Sequence, residues 1–577
     1  MSLTPMTPEE ETQFRQKSKA SKTESNKSDS TISLKRFKKG AHVPVIQVNI
    51  VLAEGRDLTM PGLHRSQKSP PDPYIKLKIG SAKFRSKTVS KTYSPKWLEH
   101  FEFKSYCHSD LQMELDVIDR RRDDLIGKCI IDLGKLPQGL TNQNWYKLEN
   151  GAGEVLVLIT LSPIKSQSHD EQSFETKTSE DIAAVADKYK PVKTLQNLKD
   201  IGFLVVKVYK AVGLASADIG TGKSDPFCVL ELVNDRSQTS TIYKSLSPEW
   251  NQYFTFPVKD IHSILEVTVF DEDQNSEPEF LGKVGIPLLN IRDGQKRWYA
   301  LKDQHLHRRA KGQILLEMKL MWNPVRAAIR TFTPKEPKYM GGIARFNRKA
   351  FLANLNRLKY YVAPMRDGAA YVQSCFTWES PPRSFLAFLM FVLVTYYWQM
   401  YMLPLTILAV FAMSYVAKSG LLGPREQYEW EKEYVDSEED TDEEESPNDP
   451  DKNFSVGLSS LRGLQDKLLE LQNVLDFIAS SIERFRNIFT FSQPFLSFLA
   501  VIILTVFTLL LYFIPLRYLI MAYGINKFTK RFRKKKGYIP NSEVLDYLSR
   551  VFSDKELRMY GEFHVLQSPS KNSTSKN

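Results

Sequence analysis

Residues 44–163 and 201–322 are two copies of one pattern, and this duplication restricts the possible fold more than any other feature of the chain. Asp72-Pro73-Tyr74 returns as Asp225-Pro226-Phe227, and Ser94-Pro95-Lys96-Trp97 as Ser247-Pro248-Glu249-Trp250. Alternating aromatics follow in each copy, Phe101 and Phe103 in one and Phe254 and Phe256 in the other, and Trp145-Tyr146 is answered by Trp298-Tyr299. The pairs share one offset, which marks a duplicated domain. Each copy divides into short alternating or apolar runs, among them VIQVNIVLAEG, PYIKLKIG and LQMELDVID, punctuated by Gly, Pro, Asn and Asp. Short strands at regular spacing over roughly 120 residues predict two all-β sandwiches, with Trp97 and Trp250 in their cores.

These motifs resemble the C2 domain family, in which calcium binds between loops at one end of the sandwich. Calcium takes about six to eight oxygen ligands, largely carboxylate, on loops that can wrap it. Matched to the C2 motif, Asp218, Asp225, Asp271, Asp273 and Glu279 of the second copy occupy the five usual carboxylate positions, with Glu where Asp is commoner. Clustered carboxylates repel an anionic membrane, and bound Ca²⁺ would reverse that sign. The first copy departs from the pattern. Its first loop has no acid near Met60, and Arg121 stands where a second Asp ligand belongs, in the run Asp119-Arg120-Arg121-Arg122-Asp123-Asp124. It carries instead Lys76 and Lys78 on one strand and Lys83, Arg85 and Lys87 on the next. Period-two spacing puts each set on one side of its strand, a candidate surface for anionic phospholipid.

The second half is of a different kind. A basic juxtamembrane stretch, 323–383, leads into apolar residues 384–417, and a second apolar stretch covers 494–524. Each exceeds the ~20 residues that cross a bilayer, and each carries a late proline, Pro404 or Pro515. They therefore read as tilted spans, as spans with an interfacial tail, or as hairpins that enter and leave on one face, with hairpin-like or otherwise non-crossing insertions preferred. Between them lie an acidic linker, 418–455, and a helix, 457–490. Its apolar residues from Leu461 to Phe489 alternate three and four apart, a heptad seam that suits self-association, packing on the anchor or lying on the membrane surface. The basic cluster in the 525–577 tail and the basic stretch before Ser384 predict that both termini are cytosolic.

Together with the second copy, SPPRS before the first apolar run and IPLRYLIMAYGINKFTKRFR in the second resemble the multiple C2 domain and transmembrane region family. Most such proteins carry three C2 domains and this chain has two, which suggests a short form. The resemblance implies calcium sensing at the endoplasmic reticulum, endosomal or synaptic-vesicle membranes, with roles in membrane tethering, traffic and neurotransmitter release. The alternative is a membrane-shaping protein whose C2 domains bind other proteins.

Residues 1–42 lack an apolar signal region and read as a disordered tail, and 164–200 as a linker. Four cysteines without CxxC spacing fit a reducing compartment. The balance of 79 Lys and Arg against 67 Asp and Glu suits an anionic partner. Because the basic clusters flank the apolar runs, that partner is expected to be lipid, with no role for nucleic acid. No HExxH, GxSxG or phosphate-loop motif occurs, so no enzymatic activity is expected.

Overall fold

The computed structural model describes residues 46–59, 70–80, 82–105, 112–149, 153–163, 187, 189, 201–217, 222–272, 278–339, 346–419, 458–533 and 542–562. The N-terminal tail, nearly all of the 164–200 linker and the acidic linker beyond Ser419 lie outside the described residues, as do Asp218 and Asp273.

In the first module, β1 (Ile46–Arg56), β4 (Lys96–Ser105), β7 (Thr141–Lys147) and β8 (Glu154–Pro163) form one sheet, ordered β4-β1-β8-β7. The facing sheet contains β2 (Pro73–Ile79), β3 (Ala82–Arg85), β5 (Gln112–Asp119) and β6 (Asp124–Asp132), ordered β3-β2-β5-β6. The second module comprises β9 (Gly202–Val212), β10 (Pro226–Leu232), β11 (Asp235–Gln238), β12 (Glu249–Val258), β13 (Ile264–Asp271), β14 (Glu279–Pro287), β15 (Lys296–Lys302) and β16 (Arg309–Trp322). It repeats the arrangement as β12-β9-β16-β15 and β11-β10-β13-β14, and the pairing of Lys283 with Lys302 joins the two sheets at β14 and β15. Trp97 and Trp250 lie in the two cores, as the pattern predicts.

Strand β1 is buried on both faces. Val48, Ile50 and Leu52 point into the sandwich, while Val51 and Ala53 form an outer cluster with Leu156 and Leu158, against which Trp145 and Tyr339 pack. Burying such a side chain contributes about 1.5–3 kcal/mol, so the outer face of the first module is an interface. Edge strand β11 meets it: the Arg236 N–H donates to Thr141 Oγ1 at 3.1 Å and Gln238 Nε2 to Gln47 Oε1 at 2.6 Å.

After β16 come α1 (Pro324–Arg330), capped by the buried Asn323, and the long α2 (Arg348–Phe376). The first apolar run divides into α3 (Pro381–Tyr397) and α4 (Met402–Lys418), with Pro404 in the first turn of α4, where its missing N–H costs little. The second divides into α6 (Pro494–Phe513) and α7 (Leu516–Arg533). The break falls at Ile514, which is forced out of the helical region by the following Pro515. Of the described helices α6 alone is long and apolar enough to cross a membrane, and α4 is a shorter apolar helix.

The predicted heptad helix forms as α5 (Leu458–Phe489), but much of its buried side is polar, with Ser480, Glu483 and Asn487 inward beside Ala479 and Ile488. The region expected to be a basic tail is in part folded. Short helices α8 (Glu543–Arg550) and α9 (Asp554–Met559) pack on α5 and on the second module.

Candidate cation site and its arginine-filled counterpart

Strand register gathers Asp225, Asp271 and Glu279 at one end of the second module's sandwich. Asp225 directly precedes β10, Pro226 pairs with Asp271, and Asp271 pairs with Glu279. The Asp225 N–H donates to the Asp271 carboxylate, and Asp225 Oδ1 accepts from the Lys244 N–H at 2.6 Å. Asp271 is 2% exposed, whereas Glu279 stands at the open rim. Backbone amides thus aim two hard carboxylates from adjacent strands, with a third beside them, which is the donor chemistry calcium takes. Among the described residues no group of three His, Cys, Asp or Glu is close enough to hold a metal by itself. Asp218 and Asp273, on the loops that would complete the set, lie outside the described residues.

The first module has the same scaffold and a different occupant. The Asp72 N–H donates to Asp119 Oδ1 at 2.9 Å, and Lys91 N–H to Asp72 Oδ1 at 2.7 Å, duplicating the contacts of Asp225. Arg121 Nη2 then reaches both Asp72 oxygens, at 3.2 and 3.1 Å, while its own N–H donates to Asp119 Oδ1 at 3.1 Å. The Lys91 amide and the Arg121 guanidinium hold the Asp72 carboxyl below the usual carboxylate range. The turn closes with Asp123 at a φ of 52°, which Asp tolerates better than most residues. A guanidinium therefore supplies the positive charge here, and the donor set does not fit a calcium ion.

On the outer face of β2 and β3, Lys76 pairs with Arg85 and Lys78 with Lys83, so four of the five predicted basic residues come together. Lys87 lies past the end of β3, its N–H donating to Glu99. Arg85 stacks 4.2 Å from the centroid of the Tyr74 ring, an anchor that the alternation rule did not reveal. The next strand modifies the patch. Lys78 and Lys128 both lie 3.4 Å from Glu114, and these ammonium groups hold the Glu114 carboxyl below its ordinary range, Lys128 having the larger effect. Lys128 adds to the patch and Glu114 subtracts from it. Neither was visible without the pairing of β2 with β5 and of β5 with β6. In the second module the equivalent strand β11 faces the first module, and Arg236 pairs with Glu231 at 3.3 Å.

The far end of the second module receives the helical region. Arg550, 0% exposed, donates Nε to Asp260 Oδ2 and Nη1 to the carbonyl oxygens of Thr331 and Asp546, each at 2.9 Å. Phe495, at the start of α6, packs against Trp322 and His262. Lys302 Nζ donates to the Met559 and Gly561 carbonyls at 2.7 and 2.6 Å, and Arg297 holds Glu562 at 2.8 Å. Gly285 makes room for this docking, because a Cβ there would stand 2.9 Å from the Tyr560 ring.

Two C2-type β-sandwiches followed by an apolar helical region define a tandem C2 protein with a membrane anchor. The C2 domain family matches residues 46–148 and 202–301, and the integral peroxisomal membrane peroxin family matches 369–529. The chain is 40% identical over 534 residues to mouse multiple C2 and transmembrane domain-containing protein 1, covering 92% of this chain and 55% of that protein. The human protein of the same name gives 41% identity over 92% of this chain and 53% of its own length. The Drosophila melanogaster multiple C2 and transmembrane domain-containing protein gives 39%, covering 89% of this chain and 55% of its own. The chain belongs to the multiple C2 domain and transmembrane region family, and spans about half the length of the curated relatives it matches.

Proposed function

We propose that this chain is a calcium-responsive membrane tether, a binding protein rather than an enzyme, whose two C2 modules attach to anionic phospholipid by different rules. The observation that carries the reading is the contrast at one structural position. Backbone amides hold Asp225 and Asp271 in the second module, whereas Arg121 fills the same place in the first. The second module would take Ca²⁺ through Asp225, Asp271, Glu279, Asp218 and Asp273. The ion would supply positive charge at the loop tips and open coordination positions for lipid phosphate. The first module needs no ion, because Arg121 already neutralises Asp72 and the Lys76, Lys78, Lys83 and Arg85 face attracts anionic headgroups.

The placement of the anchor favours bridging between two membranes. The acid-bearing loops follow Val212 and Asp271, while Phe495 and Arg550 dock near Trp322 and Asp260 at the opposite end. Strand β9 (11 residues) connects these ends over about 33 Å. Contacts across the anchor also favour two hairpins. The segment between the apolar runs binds the segment after them, Asn487 to Phe552 and Arg484 to Glu556, and α2 before them, Glu483 to Arg357. All three then lie on one membrane face with the C2 modules, which we read as cytosolic. The endoplasmic reticulum is the favoured membrane for the anchor, with endosomal or synaptic-vesicle membranes as alternatives.

The test uses the full-length chain in neutral liposomes, mixed with a second, anionic population. Calcium should increase clustering above the level in chelator, and Asp225→Asn with Glu279→Gln should remove that increase while leaving the chelator level intact. Equal clustering by the wild-type chain with and without calcium would refute the switch.

A further inference from the structure

Helix α5 is built inside out. Glu483 and Asn487 are each 2% exposed, yet Leu471 and Val474 are 47% exposed, Ile478 40% and Phe485 61%. On a helix those four apolar residues fall within an arc of about 60°, opposite the buried polar stripe. An ordinary surface helix buries the reverse face. The polar stripe is inward because the protein partners of the helix are there: Arg357 at 3.0 Å from Asp476 and 2.7 Å from Glu483, Asn487 Nδ2 at 2.8 Å from Asp554, and Arg484 at 3.2 Å from Glu556. Docking onto α2 and the C-terminal segment therefore leaves the apolar stripe outward.

We propose that this stripe lies in the interfacial layer of the same bilayer that the apolar helices enter, with anionic lipid as its occupant. Continuity supports it. Only Thr490–Gln493 separates α5 from α6, and aromatic contacts carry the stripe into the anchor: Phe485 to Phe489 at 5.2 Å, Phe489 to Phe411 of α4 at 4.5 Å, and Phe491 to Phe498 of α6 at 5.5 Å. Charge supports it as well. Were the seam a coiled coil, its flanking positions would be Ser460, Gln465, Lys467, Gln472, Val474, Ala479, Ser481, Arg486 and Ile488. These include no acid, so two copies would face each other with Lys467 and Arg486 and find no opposite charge, whereas lipid phosphates supply one. This inference does not depend on calcium binding.

The test incorporates the photo-reactive residue benzoylphenylalanine singly at Val474, Ile478, Phe485 or Asn473 of the full-length chain in anionic vesicles. The stripe positions should give lipid adducts by mass, and Asn473, on the polar side, none. Cross-links between chains at the stripe, or an absence of lipid adduct at all three positions, would overturn the proposal. In a second variant, Val474→Glu with Ile478→Glu should reduce the lipid adduct at Phe485 several-fold. Hydrogen exchange at residues 480–487 should stay unchanged there, showing that the polar face remains docked. An undiminished adduct would contradict a lipid-held stripe.

Discussion

Replacing Arg550 with Met should detach the C-terminal segment from the second module. Arg550 is wholly buried, and its guanidinium satisfies the Asp260 carboxylate and two carbonyl oxygens at 2.9 Å. Met matches its bulk but leaves Asp260 with His262, 2.9 Å away, and the more distant Lys335 as charge-capable neighbours. Stranding one partner of a buried ion pair costs about 3–5 kcal/mol. Since about 1.4 kcal/mol is a factor of ten, docking should weaken by roughly 10² to several times 10³-fold. The assay is hydrogen exchange on the full-length chain, read at residues 259–263 and 542–562 together. Both should exchange faster by that factor if exchange follows the docking equilibrium, while the module core around Val267 and Leu316 keeps its protection. Adding Asp260→Asn to Arg550→Met should recover part of the loss, because the uncompensated charge is then gone. Unchanged exchange at both segments in Arg550→Met would refute the buried-pair argument. So would a double variant that is worse than the sum of the singles.

Gly285→Val should loosen the same docking from the other side by displacing the Tyr560 ring, read as faster exchange at 554–562 with the second module still folded. Acidification should also loosen it. Burial pushes the His262 imidazole below its ordinary 6.5 despite the Asp260 hydrogen bond. The undocked or unfolded state therefore takes up the proton first, and stability falls as pH drops below about 6.5 toward the folded value. Asp260, whose carboxyl burial would raise, is held low by His262 and Arg550, so a further loss follows below its ordinary 3.8. Changing Lys83 and Arg85 together to Ala should weaken calcium-independent binding to anionic vesicles by about 2 kcal/mol, roughly thirtyfold, and flatten its salt dependence. Asn453, in a sequon outside the described residues, should carry no glycan in cells if both apolar runs are hairpins, and a glycosidase-sensitive mobility shift lost in Asn453→Gln would reverse that topology.

The sequence by itself determined the sandwiches. Side chains in a strand alternate with period two, and the repeated Asp-Pro and Ser-Pro-x-Trp turns delimit the strands, so the cores around Trp97 and Trp250 and the acids of the second module could be read locally. It also marked the odd position of Arg121 and the two apolar runs, each longer than the ~20 residues that cross a bilayer. Only the tertiary structure decided what pairing between distant segments brings about. Glu114 and Lys128 reach the basic face through strands far along the chain, and Arg121 reaches Asp72 through the register of β2 on β5. The outward face of α5 was beyond the sequence for the same reason. A heptad pattern shows which face is apolar, but which face is buried depends on where the partners stand. Here Arg357, Asp554 and Glu556 stand on the polar side and hold it inward with ion pairs and hydrogen bonds, which leaves the apolar stripe outward.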